Sequence, residues 1–224
     1  MVIGVIGSGN MGQAVGGVLA RAGHEVLFSF SRDEARLHAV AEAAGNGARA
    51  VSPAEAAQKA EAIFLACPYP ALEEALVACG APDGALAGKL VLTCVSGLRP
   101  DFKGETVGLP TERTVSVAEE IAEKAVGAQV VEAFNTTFAE VIARGPDFAG
   151  LLPAGEGRPS VFYCGGDDGA QERAASLIRD CGFEPVYAGP LQVARSQETL
   201  ASVWVQYAVV ARLYPGVTLR ALQG

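Results

Sequence analysis

A short apolar run that breaks into three spaced glycines constrains this chain more than any other feature. Val2 to Ile6 reads as a buried strand, Gly7, Gly9 and Gly12 follow with the spacing G-x-G-x-x-G, and Met11 to Ala22 has the apolar periodicity of a helix. Strand, glycine turn and helix in that order predict a dinucleotide-binding unit. Each glycine has an expected role. Gly7 permits a tight turn, Gly9 lets a pyrophosphate approach the backbone, and Gly12 lets helix and strand pack closely. Ser8, Asn10 and Met11 fill the turn, and the helix start offers free N–H groups and a positive dipole end to phosphates. All six residues from Gly7 to Gly12 are therefore expected at the cofactor.

Downstream, apolar strand-like segments alternate with helical ones. A second strand is expected over Glu25–Ser29, a short third over Ala48–Val51, a fourth over Ala62–Ala66, a fifth over Leu90–Val95 and a sixth over Gln129–Ala133. Such alternation predicts an α/β fold, a Rossmann-type doubly wound parallel sheet with right-handed crossovers. The end of the second strand is where a site for NAD usually carries a carboxylate for the ribose hydroxyls. This chain instead reads Ser29-Phe30-Ser31-Arg32-Asp33-Glu34-Ala35-Arg36. Ser31 and Glu34 fit a capping box, and Arg32 and Arg36 are four apart, on one helical face. A guanidinium meets a 2′-phosphate with paired, charge-assisted hydrogen bonds, so Ser31, Arg32 and Arg36 predict NADP(H).

Ligands of such sheets lie beyond the carboxyl ends of the strands. That rule places Cys67, Pro68 and Tyr69 after the fourth strand, Ser96 after the fifth, and Ala133, Phe134 and Asn135 at the end of the sixth along the groove. Nothing near Cys67 in sequence would depress its pKa, so a reactive thiol is not indicated. No His, Lys or paired carboxylate stands out at the strand ends, and no catalytic residue is assigned. Residues 1–143 are expected to form the nucleotide-binding domain. A Gly- and Pro-rich loop follows over 144–159, and the rest supplies a smaller strand and helix extension completing a second-substrate site. Its last helix, from about Leu191, is apolar on several faces, which predicts cover by a partner copy and hence a homodimer.

Composition removes other classes. Net charge is −8 and the 17 basic residues are scattered, which argues against a nucleic-acid partner. The longest late apolar stretch, Thr199 to Val210, is too short to span a bilayer, and no charged and apolar leader precedes Val2, so the expectation is a cytoplasmic protein off the membrane. The five cysteines form no C-x-x-C pair, and the two histidines are isolated, so no metal site is expected.

Several blocks resemble one family, the NADP oxidoreductases that depend on the deazaflavin coenzyme F420. They are Ile6-Gly7-Ser8-Gly9-Asn10-Met11-Gly12, Ser31-Arg32, Cys67-Pro68-Tyr69 and Val131-Glu132-Ala133-Phe134-Asn135-Thr136. Cys164-Gly165-Gly166-Asp167-Asp168, Gly182-Phe183-Glu184-Pro185, Gly189-Pro190-Leu191, Ala194-Arg195, Glu198 and Trp204 continue the likeness. The resemblance implies hydride transfer between NADPH and a deazaflavin, with F420 or a flavin (FMN or FAD) as the small-molecule co-substrate. Phe134, Asn135 and Thr136 would lie beside the two rings. Arg195 would stand at the mouth of the second site to meet an anionic tail, with Trp204 close by. Where relatives commonly have Asp or Asn with Pro, this chain has Thr93-Cys94-Val95-Ser96-Gly97. Alternative readings of the chain are a flavin-mediated ferric reductase, a non-catalytic NADP(H)-binding sensor module, and a reductase of carbonyls or imines; that last class normally has a longer helical C-terminal domain and a catalytic Lys, and the tail after residue 190 has no Lys.

Overall fold

The computed structural model describes residues 1–97, 114–147, 157–214 and 216–222. Residues 98–113, and residues 148–156 of the expected connecting loop, lie outside them. The chain runs β1 (Val2–Ile6), α1 (Asn10–Arg21), β2 (Glu25–Ser29), α2 (Glu34–Ala44), β3 (Arg49–Ala50), α3 (Pro53–Lys59), β4 (Ala62–Leu65), α4 (Leu72–Ala78) and β5 (Leu90–Thr93). It continues through α5 (Val117–Lys124), β6 (Gln129–Ala133), α6 (Ala139–Ile142), β7 (Ser160–Gly165), α7 (Asp168–Asp180), β8 (Glu184–Gly189) and α8 (Ala194–Val210).

One sheet holds all eight strands in the order β3-β2-β1-β4-β5-β6-β7-β8. Every neighbouring pair is parallel except β6 and β7, which are antiparallel. The doubly wound α/β architecture expected from the sequence is present, and β7 and β8 extend the same sheet. The chain winds outward from β1 to β3, then returns to lay β4 on the other side of β1. The strand order reverses between β1 and β4, which puts the ligand crevice of such a sheet beyond their carboxyl ends.

The period of two along each strand divides the core. Ile3, Val5, Phe64, Leu92 and Val131 face α1, α2, α6 and α7. Ile6, Leu27, Ile63, Leu65 and Val91 face α3, α4, α5 and the start of α8. The strands are apolar on both faces because helices cover both.

Local stops and starts follow side-chain chemistry. Ser52 caps α3 with Pro53 in its first turn, Ser116 and Glu119 form a full capping box on α5, and Asp167 caps α7. One expectation fails: Ser31 is not a helix cap. Asp33 is, accepting from the Arg36 N–H at 3.0 Å, while Ser31 Oγ turns onto the Asp33 backbone. Asp competes well for a cap position, and Ser31 forms a local turn instead.

α8 is buried along Ala194, Gln197, Glu198, Ala201, Val205 and Ala208, and within the single chain it exposes Leu200, Tyr207, Val209 and Val210. Among the described residues no helix is long and apolar enough to cross a membrane.

The closest packing in the fold lies at the glycine turn. A Cβ at Gly12 would run into the Gly7 carbonyl oxygen, whereas a Cβ at Gly9 would meet nothing within 4 Å. Gly12→Ala should therefore destabilise the chain by about 3 kcal/mol, the upper end of overpacking costs, because the obstacle is backbone. Gly9→Ala should change stability by no more than about 1 kcal/mol, the loss of a tolerable cap residue. Urea unfolding of the two variants measures the contrast.

Candidate functional site

The glycine turn sits at the end of β1. Gly7 has φ +118° and a Cβ there would lie 2.7 Å from the Ala66 carbonyl carbon, so β4 passes directly against the turn. The Gly7 N–H donates to the Ser29 carbonyl at 3.0 Å, and Gln13 Nε2 donates to the Ser8 carbonyl at 2.8 Å. The turn is thus fastened to β2, β4 and α1. Gly9 is the N-cap of α1, with no side-chain cap and no acidic residue in the first turn. The first amides of α1 therefore face outward without a resident carboxylate, beside the open space over Gly9. That combination suits an anion.

On one side of the turn a groove of about 670 Å³ opens past β2 and β3, lined among others by Phe30, Ser31, Arg32, His38, Val51 and Ser52. Arg32 has no ion-pair partner among the described residues. Glu55, which also faces the groove, is paired with Lys59 at 2.7 Å, which holds its carboxyl below the usual range. Arg36 does not line the groove. Arg32 precedes the Asp33 cap and lies outside α2, so the expected shared helical face of the two arginines does not exist.

On the other side a second cavity of about 210 Å³ runs from Asn10 and Met11 to the ends of β5 and β6 and to α8. Cys94, Ser96, Phe134, Asn135, Thr136 and Trp204 line it, together with Thr137, Phe138, Glu140, Val205 and Tyr214. The expected residues Ser96, Phe134, Asn135, Thr136 and Trp204 are therefore brought together at one place with the start of α1. Phe134 adopts φ +67°, a conformation costly for a bulky side chain, at about 1–3 kcal/mol. Its ring is clamped edge-on between Phe64 and Phe183, each with centroids 6.1 Å away. The clamp holds the kink that turns the chain out of β6 and presents Asn135 and Thr136 to the cavity. Thr93 shapes the neighbouring strand end, donating to the Leu65 carbonyl at 3.3 Å and accepting from the Val95 N–H at 3.0 Å.

Other expected site residues are placed elsewhere. The Cys67 side chain is buried in the core on the α4 side, and burial pushes its thiol up to about 12. Only its backbone borders the turn, at Gly7. Tyr69 donates its hydroxyl to Glu120 of α5 at 2.9 Å, which, after burial, keeps the phenol protonated; neither Tyr69 nor the exposed Pro68 lines either cavity. Ala133 is wholly buried in β6. Arg195 forms a two-toothed bridge to Glu119 at 2.6 and 2.8 Å, tying α8 to α5. Glu119 already caps α5, and the guanidinium lowers its carboxyl to about 2. Arg195 is thus committed to a carboxylate and does not line the cavity.

A pair of buried carboxyls is the main feature with no signal in the local sequence. Glu132 in β6 and Glu198 in α8 are both fully buried, and each perturbs the other's titration. Glu132 Oε1 accepts from Asn135 Nδ2 at 2.8 Å and Oε2 from Gln197 Nε2 at 3.1 Å, while Glu198 Oε1 accepts from the Ala118 N–H at 3.2 Å. Desolvation, then the neighbouring carboxylate, raises Glu132 well above its ordinary range, and desolvation raises Glu198 to about 7. The pair holds at least one proton at neutral pH because two bare charges so close and so buried cannot coexist. Strand periodicity places Glu132 inward, but its partner lies 66 residues away on a helix that reads as apolar, and no local spacing joins them.

The pair makes stability pH-dependent. Its folded pKa values are raised, so between about pH 4.5 and 7 the folded chain holds protons that the unfolded chain has released, and stability falls as pH rises through that window. Glu119 acts in the opposite sense and lower, its contribution being lost as pH falls from about 4.5 towards 2. Urea midpoints at pH 5 and pH 8 should show the loss in the unaltered chain and a flatter profile in Glu198→Gln.

Comparison with known proteins agrees with this geometry. Residues 2–97 match the sequence model of the family described as NADP oxidoreductase, coenzyme F420-dependent. Among solved structures, the chain is similar to a candidate F420-dependent NADP-reductase from Arthrobacter sp. FB24, at 25% identity over 99% of both chains with a TM-score of 0.82. A hypothetical protein from Sinorhizobium meliloti is 28% identical over 85% of this chain and 86% of its own, with a TM-score of 0.70. An imine reductase from Streptomyces aurantiacus shares the fold at 21% identity and a TM-score of 0.66; the match covers 95% of this chain but 64% of the reductase. The segment that matches this family's model, residues 2–97, carries the glycine turn, the Ser31–Arg32 strand end and the first five strands of the sheet.

Proposed function

We propose that this chain is an NADP(H)-dependent oxidoreductase that exchanges hydride with a flavin or deazaflavin. The observation that carries the reading is an uncapped glycine turn with one cavity reaching its Asn10–Met11 end and a groove at the end of β2, the strand to which the turn is fastened. The groove carries an arginine with no ion-pair partner among the described residues, and the cavity past β6 is lined by aromatic and small polar side chains. The residues present fit the nucleotide: free amides and open space at Gly9 for the pyrophosphate, Arg32 for a 2′-phosphate, and the Asn10–Met11 end of the second cavity for the nicotinamide.

When bound, NADPH supplies the hydride. The chain's residues do the positioning. The turn would hold the phosphates at the start of α1, and Phe134, held kinked by Phe64 and Phe183, would keep Asn135 and Thr136 at the cavity where a ring could bind. Trp204, Phe138 and Tyr214 wall the cavity; Phe138 and Tyr214 meet edge-on at 5.0 Å, and the Tyr214 hydroxyl is anchored on Glu140. At about 210 Å³ the cavity is smaller than the ~300–1,000 Å³ typical of sites that enclose a whole drug-sized ligand. It admits one ring and leaves a tricyclic partner to lie across its mouth. No acid–base residue is required at a direct hydride step. Cys94, the nucleophile nearest the cavity, is kept protonated by burial, with its thiol raised to about 12.

Two measurements test the reading. Arg32→Asp should weaken NADPH binding at least tenfold while leaving NADH binding nearly unchanged, because charge-assisted bonds to a phosphate contribute about 1.5–3 kcal/mol. Arg36→Ala should change NADPH binding less than about threefold, since Arg36 does not face the groove. Unchanged NADPH affinity in Arg32→Asp would sink the NADP assignment. NADPH oxidation should then be followed with coenzyme F420, FMN, FAD and ferric chelates as acceptors. Turnover is expected with F420 or a flavin; tight NADPH binding without turnover on any acceptor would favour a non-catalytic nucleotide-binding module.

A further inference from the structure

Three polar atoms on residues lining the cavity past β6 are shielded from solvent and have no hydrogen-bond partner among the described residues: Asn135 Oδ1, Thr137 Oγ1 and Trp204 Nε1. A buried polar atom left unpaired is costly, so three around one cavity mark a place that a polar ligand completes. Their chemistry is specific. Oδ1 can only accept, Nε1 can only donate, and a threonine hydroxyl can do either.

The orientation of Asn135 is set from behind. Its Nδ2 donates to Glu132 Oε1 at 2.8 Å, which turns Oδ1 away from Glu132. Glu132 is itself fixed from α8. Its Oε2 accepts from Gln197 Nε2, and the neighbouring Glu198 is anchored on the Ala118 amide. Glu132 Oε1 accepts from Asn135, and of the two ends of that amide only the nitrogen can donate to it.

We propose that the Glu132–Glu198 pair is a positioning device that locks the Asn135 amide with its oxygen towards the cavity, so that the cavity selects a ring bearing an N–H. The carboxamide of a nicotinamide and the imide N–H of a flavin or deazaflavin share that chemistry. The inference rests on the reading that a hydride donor or acceptor ring enters this cavity. Glu132 and Glu198 touch neither ring; they act through Asn135. Glu132→Gln keeps the lock: its amide oxygen accepts from Asn135, and Gln197, whose Oε1 has no partner among the described residues, rotates to accept from its nitrogen. Glu132→Leu removes the acceptor and frees Asn135 to turn.

The test compares affinities within two ligand pairs that differ in the N–H: NADPH against its 3-acetylpyridine analogue, and FMN against N3-methyl-FMN. The unaltered full chain should prefer the N–H-bearing member of one pair by roughly tenfold, since a site built to hydrogen-bond a group rejects the analogue lacking it. Glu132→Leu and Asn135→Ala should both reduce that preference to less than about threefold, and Glu132→Gln should restore it. Asn135→Ala leaves the buried pair in place, so it reports even if Glu132→Leu fails to fold by circular dichroism. Binding of NADPH and FMN with no preference in either pair overturns the positioning role alone, as does a preference that survives in Asn135→Ala. Failure of both NADPH and FMN to bind the unaltered chain overturns the ring-binding reading with it.

Discussion

The fold depends on how closely α1 lies against the sheet. Gly12 stacks on the Gly7 carbonyl, Gly16 leaves room for the Phe28 ring, and Gly7 lets the backbone of β4 pass within van der Waals distance. Side chains at these positions would push α1 outward and open the crevice where the strand order reverses. The same contacts that seat the helix also aim its uncapped first turn over Gly9. Packing and anion binding are therefore two results of one constraint, the absence of Cβ atoms along one edge of a strand–turn–helix unit.

Much of this is legible in the sequence, because the signals are local. Strands are marked by short apolar runs, so β1, β2 and β6 fall where the apolar pattern places them. Ser96, Phe134, Asn135 and Thr136 reach one cavity because each follows the carboxyl end of a central strand, and that rule needs only strand order. What fails depends on competition or on distance. Asp33 takes the cap that the Ser31–Glu34 spacing predicts, and with it goes the common helical face of Arg32 and Arg36. Arg195 is drawn off by Glu119, 76 residues away, and Tyr69 by Glu120. The final helix, which reads as apolar all round, carries Gln197 and Glu198 inward, where only the tertiary fold shows their partners.

The antiparallel turn of β7 explains how α8 reaches the site. In a purely parallel continuation the chain would leave β6 and return from the far end. Here β7 runs back beside β6, with Cys164 opposite Glu132, and β8 runs parallel to β7. The segment after β8 therefore emerges towards the start of β6, and α8 runs back beside α5 so that its later turns reach the carboxyl end of β6. Its buried face delivers Gln197 and Glu198 behind the strand and its next turns deliver Trp204 and Val205 to the cavity wall.

That arrangement makes α8 a support as well as a wall. A cavity built on a kinked strand end would be loose if only Phe134 held it, because positive φ at a bulky residue is a conformation that the chain tends to leave. Edge-on aromatic contacts clamp the ring from the α6 and α7 face, and hydrogen bonds to Glu132 tie Asn135 and α8 to the strand that enters the kink. Replacing the buried pair by apolar residues could leave the fold intact or even stabilise it, since buried charge is expensive to keep. Its value lies in direction. Apolar packing could fill the same space, yet it would not decide which face of the Asn135 amide meets a ring.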